Sequence, residues 1–449
     1  MKNDYLITGG PLRSLLVFSL PMILGNLFQQ FYTMADSAIV GRFVSEQALA
    51  AVGASYALTN IFICVAVGGG IGSSVIVSRH FGEKNYGNMK ISVSTAMISF
   101  LFMSIILGGI GSIFCRPIMI LLNTPNDTLG MAVVYLKIYF LGLPFLFMYN
   151  VISSMFNALG KSKTPLVFLI FSSMLNVALD LFMVLTLGMG VAGAAWATLV
   201  SQGIAAVSSF FLLRKFLIQF TSVRNKTFSK AELSSMLKIA VPSILQQSIV
   251  SIGMMLVQSV INSFGAGALA GFSAAMRIES ICVVPMAAIG NAVSSFTAQN
   301  IGAGKEERVV HGYHAANIMT VVCGALLCLI LELFNKWIIG IFLGSNGSSA
   351  AFNTGQEYLV FMGWFYFLIG FKMAVDGLLR GAGDMKMFTI ANLVNLFIRV
   401  SVSIIFAPRF GIMMVWVSVP LGWFMNWLIS FCQYRTGHWK KSVTGSHSY

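Results

Sequence analysis

Long apolar segments alternate with short polar segments along almost the whole chain. A helix needs about 20 apolar residues to cross the hydrocarbon core of a bilayer, and Gly, Pro and charged residues mark the turns between such helices. The pattern therefore predicts twelve membrane-spanning helices, numbered here as spans 1 to 12: 14–38, 47–78, 90–122, 130–159, 164–187, 190–214, 237–264, 267–298, 309–343, 355–379, 387–407 and 411–434.

Composition agrees with this pattern. Hydrophobic residues make up 57% of the chain and charged residues only 9%, whereas about a quarter of the residues of a soluble protein are charged. Such a chain cannot cover a soluble surface, so most of its apolar side chains must face lipid. We expect an all-α membrane protein with twelve transmembrane helices, and we expect no cofactor.

The basic residues predict an orientation. The net charge is +14. If the chain crosses the membrane twelve times, the side that holds both termini carries 20 Lys and Arg residues and the other side carries four. Cytoplasmic loops are enriched in Lys and Arg, which predicts cytoplasmic termini and an inner (plasma) membrane location. No basic face persists along any soluble stretch, and this excludes a nucleic-acid-binding protein.

The two halves of the chain resemble each other. Ala48–Ala51 recurs as Ala268–Gly271, and two further pairs keep nearly the same spacing: Pro21 with Pro242, and Trp196 with Trp416. This predicts a duplication with an N-terminal lobe at 1–219, a cytoplasmic linker at 220–236 and a C-terminal lobe at 237–449. Six spans in each half give both lobes the same orientation, a parallel repeat that suits alternating access.

Charged residues inside the spans are candidates for function, because a charge at the centre of a span costs at least about 2.5–3.5 kcal/mol. For Lys137 and Glu332 we favour a position near the membrane interface, where long side chains reach water. Nine charged residues fall within the predicted spans: Asp36, Lys137, Asp180, Arg277, Glu279, Glu332, Lys372, Asp376 and Arg399.

Asp36 and Asp180 stand apart from the other seven because an aspartate is too short to reach the interface. Asn176 precedes Asp180 by four residues on span 5 and therefore shares its helix face. Thr198 of span 6 is expected at a similar depth. Two carboxylates, an amide oxygen and a hydroxyl are hard ligands that suit Na⁺, and a carboxylate pair could equally exchange protons.

The second half does not repeat these acids. Its buried charges, which include Arg277, Glu279, Lys372, Asp376 and Arg399, are expected to form a separate polar group in the C-terminal lobe. They could bind substrate or only hold helices together, and the sequence leaves both open. In span 2, Gly68–Gly70 and Gly72 could act as a hinge or permit close helix packing, and we favour packing.

Taken together, several motifs resemble those of the multidrug and toxic compound extrusion (MATE) transporters. The resemblance covers roughly residues 10–435 and is carried by Leu20-Pro21, the stretch QQFYTMADSAIVGR at 29–42, Asn157–Lys161, Asn176–Asp180, Gly193–Thr198 and Leu379–Asp384.

This resemblance implies a two-lobe exporter of organic cations that is driven by inward movement of Na⁺ or H⁺. The cation site of one branch of the family matches Asp36, Asn176, Asp180 and Thr198 here. Another branch has acids in spans 7 and 10, where this chain has Gln246-Gln247 and a poorly aligned Asp376. A cation site in the C-terminal lobe is therefore not expected.

The substrates are expected to be lipophilic organic cations that bind an apolar, aromatic cavity. Gln29 and Tyr32 lie one or two turns from Asp36 and are expected in the cavity wall. Arg277, Asp376 and Arg399 are further candidates for that cavity. We expect small-molecule organic cations and membrane lipid as the partners of a monomeric protein.

Three other functions fit the sequence less well. A lipid-linked oligosaccharide flippase of the same superfamily would need a broad cationic cavity. The acidic N-terminal lobe argues against this function, whereas Arg277, Lys372 and Arg399 keep it open. A membrane-embedded enzyme would need a clustered His, Ser or metal constellation, and the five His residues lie in loops, at interfaces or in the tail. A passive channel would not need duplicated lobes.

Overall fold

The computed structural model describes residues 4–221, 226–343 and 348–441, and these are helices joined by short turns. Each of the twelve predicted spans is helical. We label the corresponding helices α1 to α12: Pro11–Phe43, Glu46–Gly82, Tyr86–Leu121, Asn126–Ala158, Lys163–Leu181, Gly190–Ile218, Lys230–Asn262, Ala266–Gly302, Glu306–Leu343, the pair Ser349–Gly363 (α10a) and Tyr366–Ala382 (α10b), Met385–Phe410, and Met413–Thr436.

The all-α, twelve-helix prediction is confirmed, with one addition. Within the described residues, eleven helices are continuous and long and apolar enough to cross a membrane, and the twelfth span is made by α10a and α10b. These two segments meet at an angle of 54°. The apolar pattern predicts one unbroken helix at 355–379. Gly363, immediately before the break, is the feature that could have indicated it.

The ends of the spans agree with the turn residues that the sequence offered. Gly265, Gly383 and Gly411 adopt positive φ angles of 95°, 83° and 87°, a region that glycine enters without steric strain. After α5 the chain continues as a single π-helical turn, Phe182–Thr186. Such turns are frequent at functional sites, and this one follows directly on the helix that carries Asp180.

The chain forms two compact units. One comprises Leu24–Ile244, and the other comprises Met1–Ile23 together with Leu245–Tyr449. The unit boundaries lie inside α1 and α7, shortly after Pro21 and Pro242. The assignment of lobes to 1–219 and 237–449 stays a prediction. Of the linker predicted at 220–236, residues 222–225 lie outside the described part of the chain.

In the Leu24–Ile244 unit, the glycines of α2 permit close helix packing. A Cβ atom added at Gly68 would lie 2.7 Å from Cα of Ile244, and one added at Gly72 would lie 2.5 Å from the backbone nitrogen of Ala240. Both distances are too short for a real Cβ. The first turns of α7 therefore approach α2 backbone to backbone, which supports packing as the role of these glycines.

In the other unit, α8 is the central helix and is packed most closely by α10b. A Cβ atom added at Gly377 of α10b would lie 2.2 Å from the carbonyl oxygen of Gly290 of α8. A short N-terminal helix, Tyr5–Thr8, lies against the turn between α8 and α9. Asn300 Nδ2 donates to Leu6 O over 3.1 Å, and Lys305 Nζ donates to Ile7 O over 3.2 Å.

Candidate ion-binding site

The four residues expected to form a cation site come together between α1, α5 and α6. The carboxyl groups of Asp36 and Asp180 are close enough to share a hydrogen bond. Asp180 is fully buried and Asp36 is half-buried. Two carboxylates in contact repel each other, so the pair requires a shared proton or a bound cation to remain buried.

The Asn176 amide joins Asp180 to Thr198. One orientation of the amide satisfies all its neighbours: the nitrogen donates to Asp180 Oδ2 over 2.8 Å, and the oxygen accepts from Thr198 N over 3.0 Å and from Thr198 Oγ1 over 3.2 Å. The amide orientation is assigned from this network. Asn176 is 1% exposed, so its polar groups depend on these partners rather than on water.

Local sequence explains why these side chains meet. Asn176 and Asp180 are four residues apart on α5 and therefore project from the same face. The π-helical turn that follows α5 packs against the start of α6, where a Cβ atom at Gly193 would lie 3.2 Å from the Met183 carbonyl oxygen. This close approach brings Thr198, about one turn further along α6, to the level of Asn176.

Two tyrosines complete the surroundings. The Tyr32 hydroxyl lies 3.2 Å from the Asn176 amide nitrogen and also hydrogen-bonds with Thr198. Tyr135 of α4 is close enough to interact electrostatically with both carboxyl groups. Tyr32 was expected in the cavity wall and in fact contacts the proposed ligands. Tyr135 was missed, because nothing in the sequence distinguishes it from the other aromatic residues of its span.

Gln29 is placed differently. Its side chain is exposed, and its backbone oxygen accepts a hydrogen bond from Thr33 Oγ1 over 2.9 Å. It lies on α1 roughly two turns before Asp36. Its role in a cavity wall stays a prediction.

The groups that could bind an ion at this site are two carboxylates and the neutral oxygens of Asn176 and Thr198. Asp36 Oδ1 and Asp180 Oδ1 are buried and have no hydrogen-bond partner among the described residues. In that same part of the chain, no group of three or more His, Cys, Asp or Glu residues forms a metal site. Oxygen ligands with two negative charges and open lone pairs fit a hard cation such as Na⁺, and they fit a proton equally well.

The charged residues of the other unit form two clusters, with Arg277 apart from both. Arg277 is exposed on α8, whereas Glu279, two residues on, is 3% exposed and accepts a hydrogen bond from the Tyr358 hydroxyl. Arg399 of α11 lies within electrostatic range of Glu279.

The second cluster lies on α10b. Lys372 Nζ is 3.3 Å from Asp376 Oδ2, and Ser430 Oγ of α12 donates to Asp376 Oδ1 over 2.9 Å. Arg277, Asp376 and Arg399 were candidates for one substrate cavity. The structure places them in three different surroundings, and their part in substrate binding stays a prediction.

The expected position of Lys137 and Glu332 near the membrane interface stays a prediction. Lys137 is exposed. Glu332 accepts a hydrogen bond of 2.7 Å from the Trp364 indole nitrogen. Trp is enriched at membrane interfaces, where its ring sits in the apolar region and its N–H finds a polar partner.

Known proteins share this architecture. A family model described as MatE matches residues 21–182 and again residues 242–405. Both matches begin at a proline, Pro21 and Pro242, in agreement with the predicted repeat.

Two relatives and one solved structure are similar over nearly their full length. "Probable multidrug resistance protein YpnP" of Bacillus subtilis (strain 168) is 32% identical over 442 residues, 98% of each chain. "Probable multidrug resistance protein YoeA" of the same organism is 28% identical over 96% of this chain and 95% of that one. A structure described as "Crystal structure of MATE in the bent conformation" has a TM-score of 0.90 at 23% identity, covers 99% of each chain and shows the shared fold.

Proposed function

The chain belongs to the MatE family of multidrug transporters, which are multi-pass membrane proteins and not enzymes, and we propose that it exports lipophilic organic cations in exchange for Na⁺ or H⁺. The proposal extends the family assignment in three respects: the class of substrate, the coupling ion and the residues that bind that ion. We assign the ion to Asp36, Asn176, Asp180 and Thr198, with Tyr32 as an additional contact.

One observation carries the assignment. Asp36 and Asp180 are close enough to share a hydrogen bond inside a helix bundle, and each has one buried oxygen without a hydrogen-bond partner among the described residues. A carboxylate pair at such a separation holds at most one negative charge unless a cation lies between the two groups. The site is therefore sensitive to the binding and release of one positive charge, which is the property that a coupling site requires.

The exchange follows from this electrostatic linkage. When the site is empty and ionised, its negative charge favours a cationic compound nearby. Entry of Na⁺ or H⁺ from outside neutralises the pair, weakens the hold on the compound and changes the contacts between α1 and α5. Coupling requires only that the ion and the compound differ in their affinity for the two states of the transporter.

We place both termini in the cytoplasm and the protein in the inner (plasma) membrane, because the predicted loops on that side carry most of the Lys and Arg residues. Residues 1–219 and 237–449 would act as the two lobes of the alternating-access cycle. The 26 Met and 37 Phe residues supply adaptable apolar and aromatic surface for varied cations. We propose a monomer.

The test is uptake of a fluorescent lipophilic cation into proteoliposomes, with Na⁺ and pH gradients imposed separately. Asp36→Asn and Asp180→Asn should each abolish uptake driven by the coupling ion. Asp127→Asn serves as the control, since Asp127 is an exposed aspartate at the start of α4. Full uptake by Asp36→Asn or Asp180→Asn would contradict the assignment. The gradient that drives uptake identifies the ion.

A further inference from the structure

The unit formed by 1–23 and 245–449 buries several charged side chains. Among its described residues, five charged side chains are less than 9% exposed: Glu279, Lys372, Asp376, Arg380 and Arg399. Arg380 lies beyond span 10, in the last turn of α10b, so two buried cations and two buried acids remain within the predicted spans of this unit. An uncompensated charge in the membrane interior is unfavourable by several kcal/mol, so buried charges are generally paired.

The α10b residues have partners. Lys372 pairs with Asp376 at 3.3 Å, and Asp376 also accepts from Ser430. Arg380 Nη2 donates to Asn291 Oδ1 over 2.8 Å, and Arg380 Nε donates to Ser294 Oγ over 3.4 Å. The guanidinium of Arg380 is thus hydrogen-bonded to two neutral oxygens of α8.

Arg399 differs from Arg380. It lies near the middle of α11 and is 8% exposed, yet its Nε and Nη2 atoms have no hydrogen-bond acceptor among the described residues. Glu279 lies within electrostatic range but accepts from the Tyr358 hydroxyl. No carboxylate oxygen of the described residues forms an ion pair with Arg399 within 4.0 Å.

A second buried hydrogen-bond donor without an acceptor lies on Trp416, next to Tyr358. The Trp416 ring packs edge-on against Tyr358 with ring centroids 5.9 Å apart. Trp416 is 2% exposed, and its indole nitrogen also has no acceptor among the described residues. Buried N–H groups without acceptors are rare in folded proteins, and several in one neighbourhood indicate a missing acceptor.

We propose that Arg399 binds a small monovalent anion, of which chloride is the physiological example, because Glu279 does not form an ion pair with it. Nε–H and Nη2–H lie on one edge of the guanidinium and form a two-pronged donor suited to one acceptor. An anion there pairs with the charge of Arg399 and accepts hydrogen bonds from both donors. The carboxylate of Glu279 limits how tightly the anion binds, because the two negative charges repel each other.

The proposal is independent of ion exchange at Asp36 and Asp180, and its test does not use transport. The full-length protein, purified in detergent, is unfolded thermally in sodium chloride, sodium bromide or sodium gluconate at equal ionic strength. Chloride and bromide should raise the unfolding temperature in a saturable manner relative to gluconate. Equal unfolding temperatures in all three salts would overturn the proposal.

Three variants assign the effect to a residue. Arg399→Gln should lose the halide effect. Arg277→Gln, which removes the same charge from an exposed position on α8, should keep it. Glu279→Gln should reach half of the maximal effect at a lower chloride concentration, because the repulsion is gone. A halide effect that persists in Arg399→Gln would place the anion elsewhere and overturn the assignment.

Should Arg399→Gln fail to fold, crystals of the wild-type protein grown in bromide supply the second measurement. An anomalous bromide peak within hydrogen-bonding distance of Arg399 Nε and Nη2 supports the site. Bromide bound only at other positions contradicts it.

Discussion

The His80 ring at the end of α2 lies between two carboxylates: Nε2 is 3.2 Å from Glu232 Oε2 at the start of α7, and Nδ1 is 3.1 Å from Glu83 Oε2. Ser92 of α3 also donates to Glu232, over 2.7 Å. A ring with both nitrogens directed at carboxylates donates from both and is therefore held as the cation. The arrangement ties the first turn of α7 to α2 and α3.

His80→Ala should therefore destabilise the protein, by about 1–3 kcal/mol, since hydrogen bonds to charged groups are lost. Glu232 is then left largely buried, and Ser92 is its one remaining side-chain partner among the described residues. The measurement is the unfolding temperature of the purified protein in detergent. His438→Ala is the matched control, because His438 is exposed beyond the end of α12. Equal unfolding temperatures for the two variants would show that the His80 contacts contribute nothing.

If Thr198 belongs to the ion site, removing its hydroxyl should weaken binding of the coupling ion. Thr198→Val keeps the shape of the side chain but removes the hydroxyl that bonds to Asn176. The loss of one buried hydrogen bond of about 1–1.5 kcal/mol corresponds to roughly tenfold weaker binding of the coupling ion. Proteoliposome uptake measured over a range of ion concentrations reports the shift as a higher half-saturating concentration.

Thr198→Ser is the control for this substitution, since it retains the hydroxyl and loses only a methyl group. It should behave almost as the wild type does. A Val variant with the wild-type ion dependence would exclude Thr198 from the site, whereas equal impairment in Val and Ser would indicate a packing role for the methyl group.

Because α2 packs closely against α7, a larger side chain at their contact should destabilise the protein. Gly72→Ala places a Cβ 2.5 Å from the Ala240 backbone nitrogen, and backbone atoms cannot move aside as a flexible side chain can. We expect a loss of about 1–3 kcal/mol from overpacking, seen as a lower unfolding temperature and a lower yield of folded protein. Gly109→Ala in α3 has open space around the new Cβ and should change little. Equal stability of the two variants would contradict the close approach.

The side chains of Lys372 and Asp376 form a pair, and both are 2% exposed. Substitutions of the two residues should therefore have non-additive effects on stability. Lys372→Met leaves a buried carboxylate whose remaining hydrogen bond is from Ser430, and should destabilise by about 3–5 kcal/mol. The double substitution Lys372→Met with Asp376→Leu removes both charges and should be markedly more stable than Lys372→Met alone. Thermal unfolding of the two single variants and the double variant completes the cycle. Additive effects would show that the two charges do not interact.

Features that are local along the chain could be predicted from the amino-acid pattern alone. Lipid acts as the solvent for each span separately, so twenty or more apolar residues between turn residues suffice to locate α1 to α9, α11 and α12. Helical periodicity likewise places Asn176 and Asp180 on one face of α5, since that relationship depends on a single helix. The duplication was visible because its two copies keep a nearly constant spacing.

Which helices contact each other could not be predicted from the amino-acid pattern and is seen only in the folded protein. The contact of Asp36 with Asp180, the place of Tyr135 beside them and the pairing of Tyr358 with Glu279 each depend on how separate helices pack. Packing between membrane helices is set by small residues such as Gly68, Gly72 and Gly377, whose partners lie far away along the chain. A hydrophobic pattern shows that a helix spans the membrane, but it carries no information about the shape of the helix that packs against it.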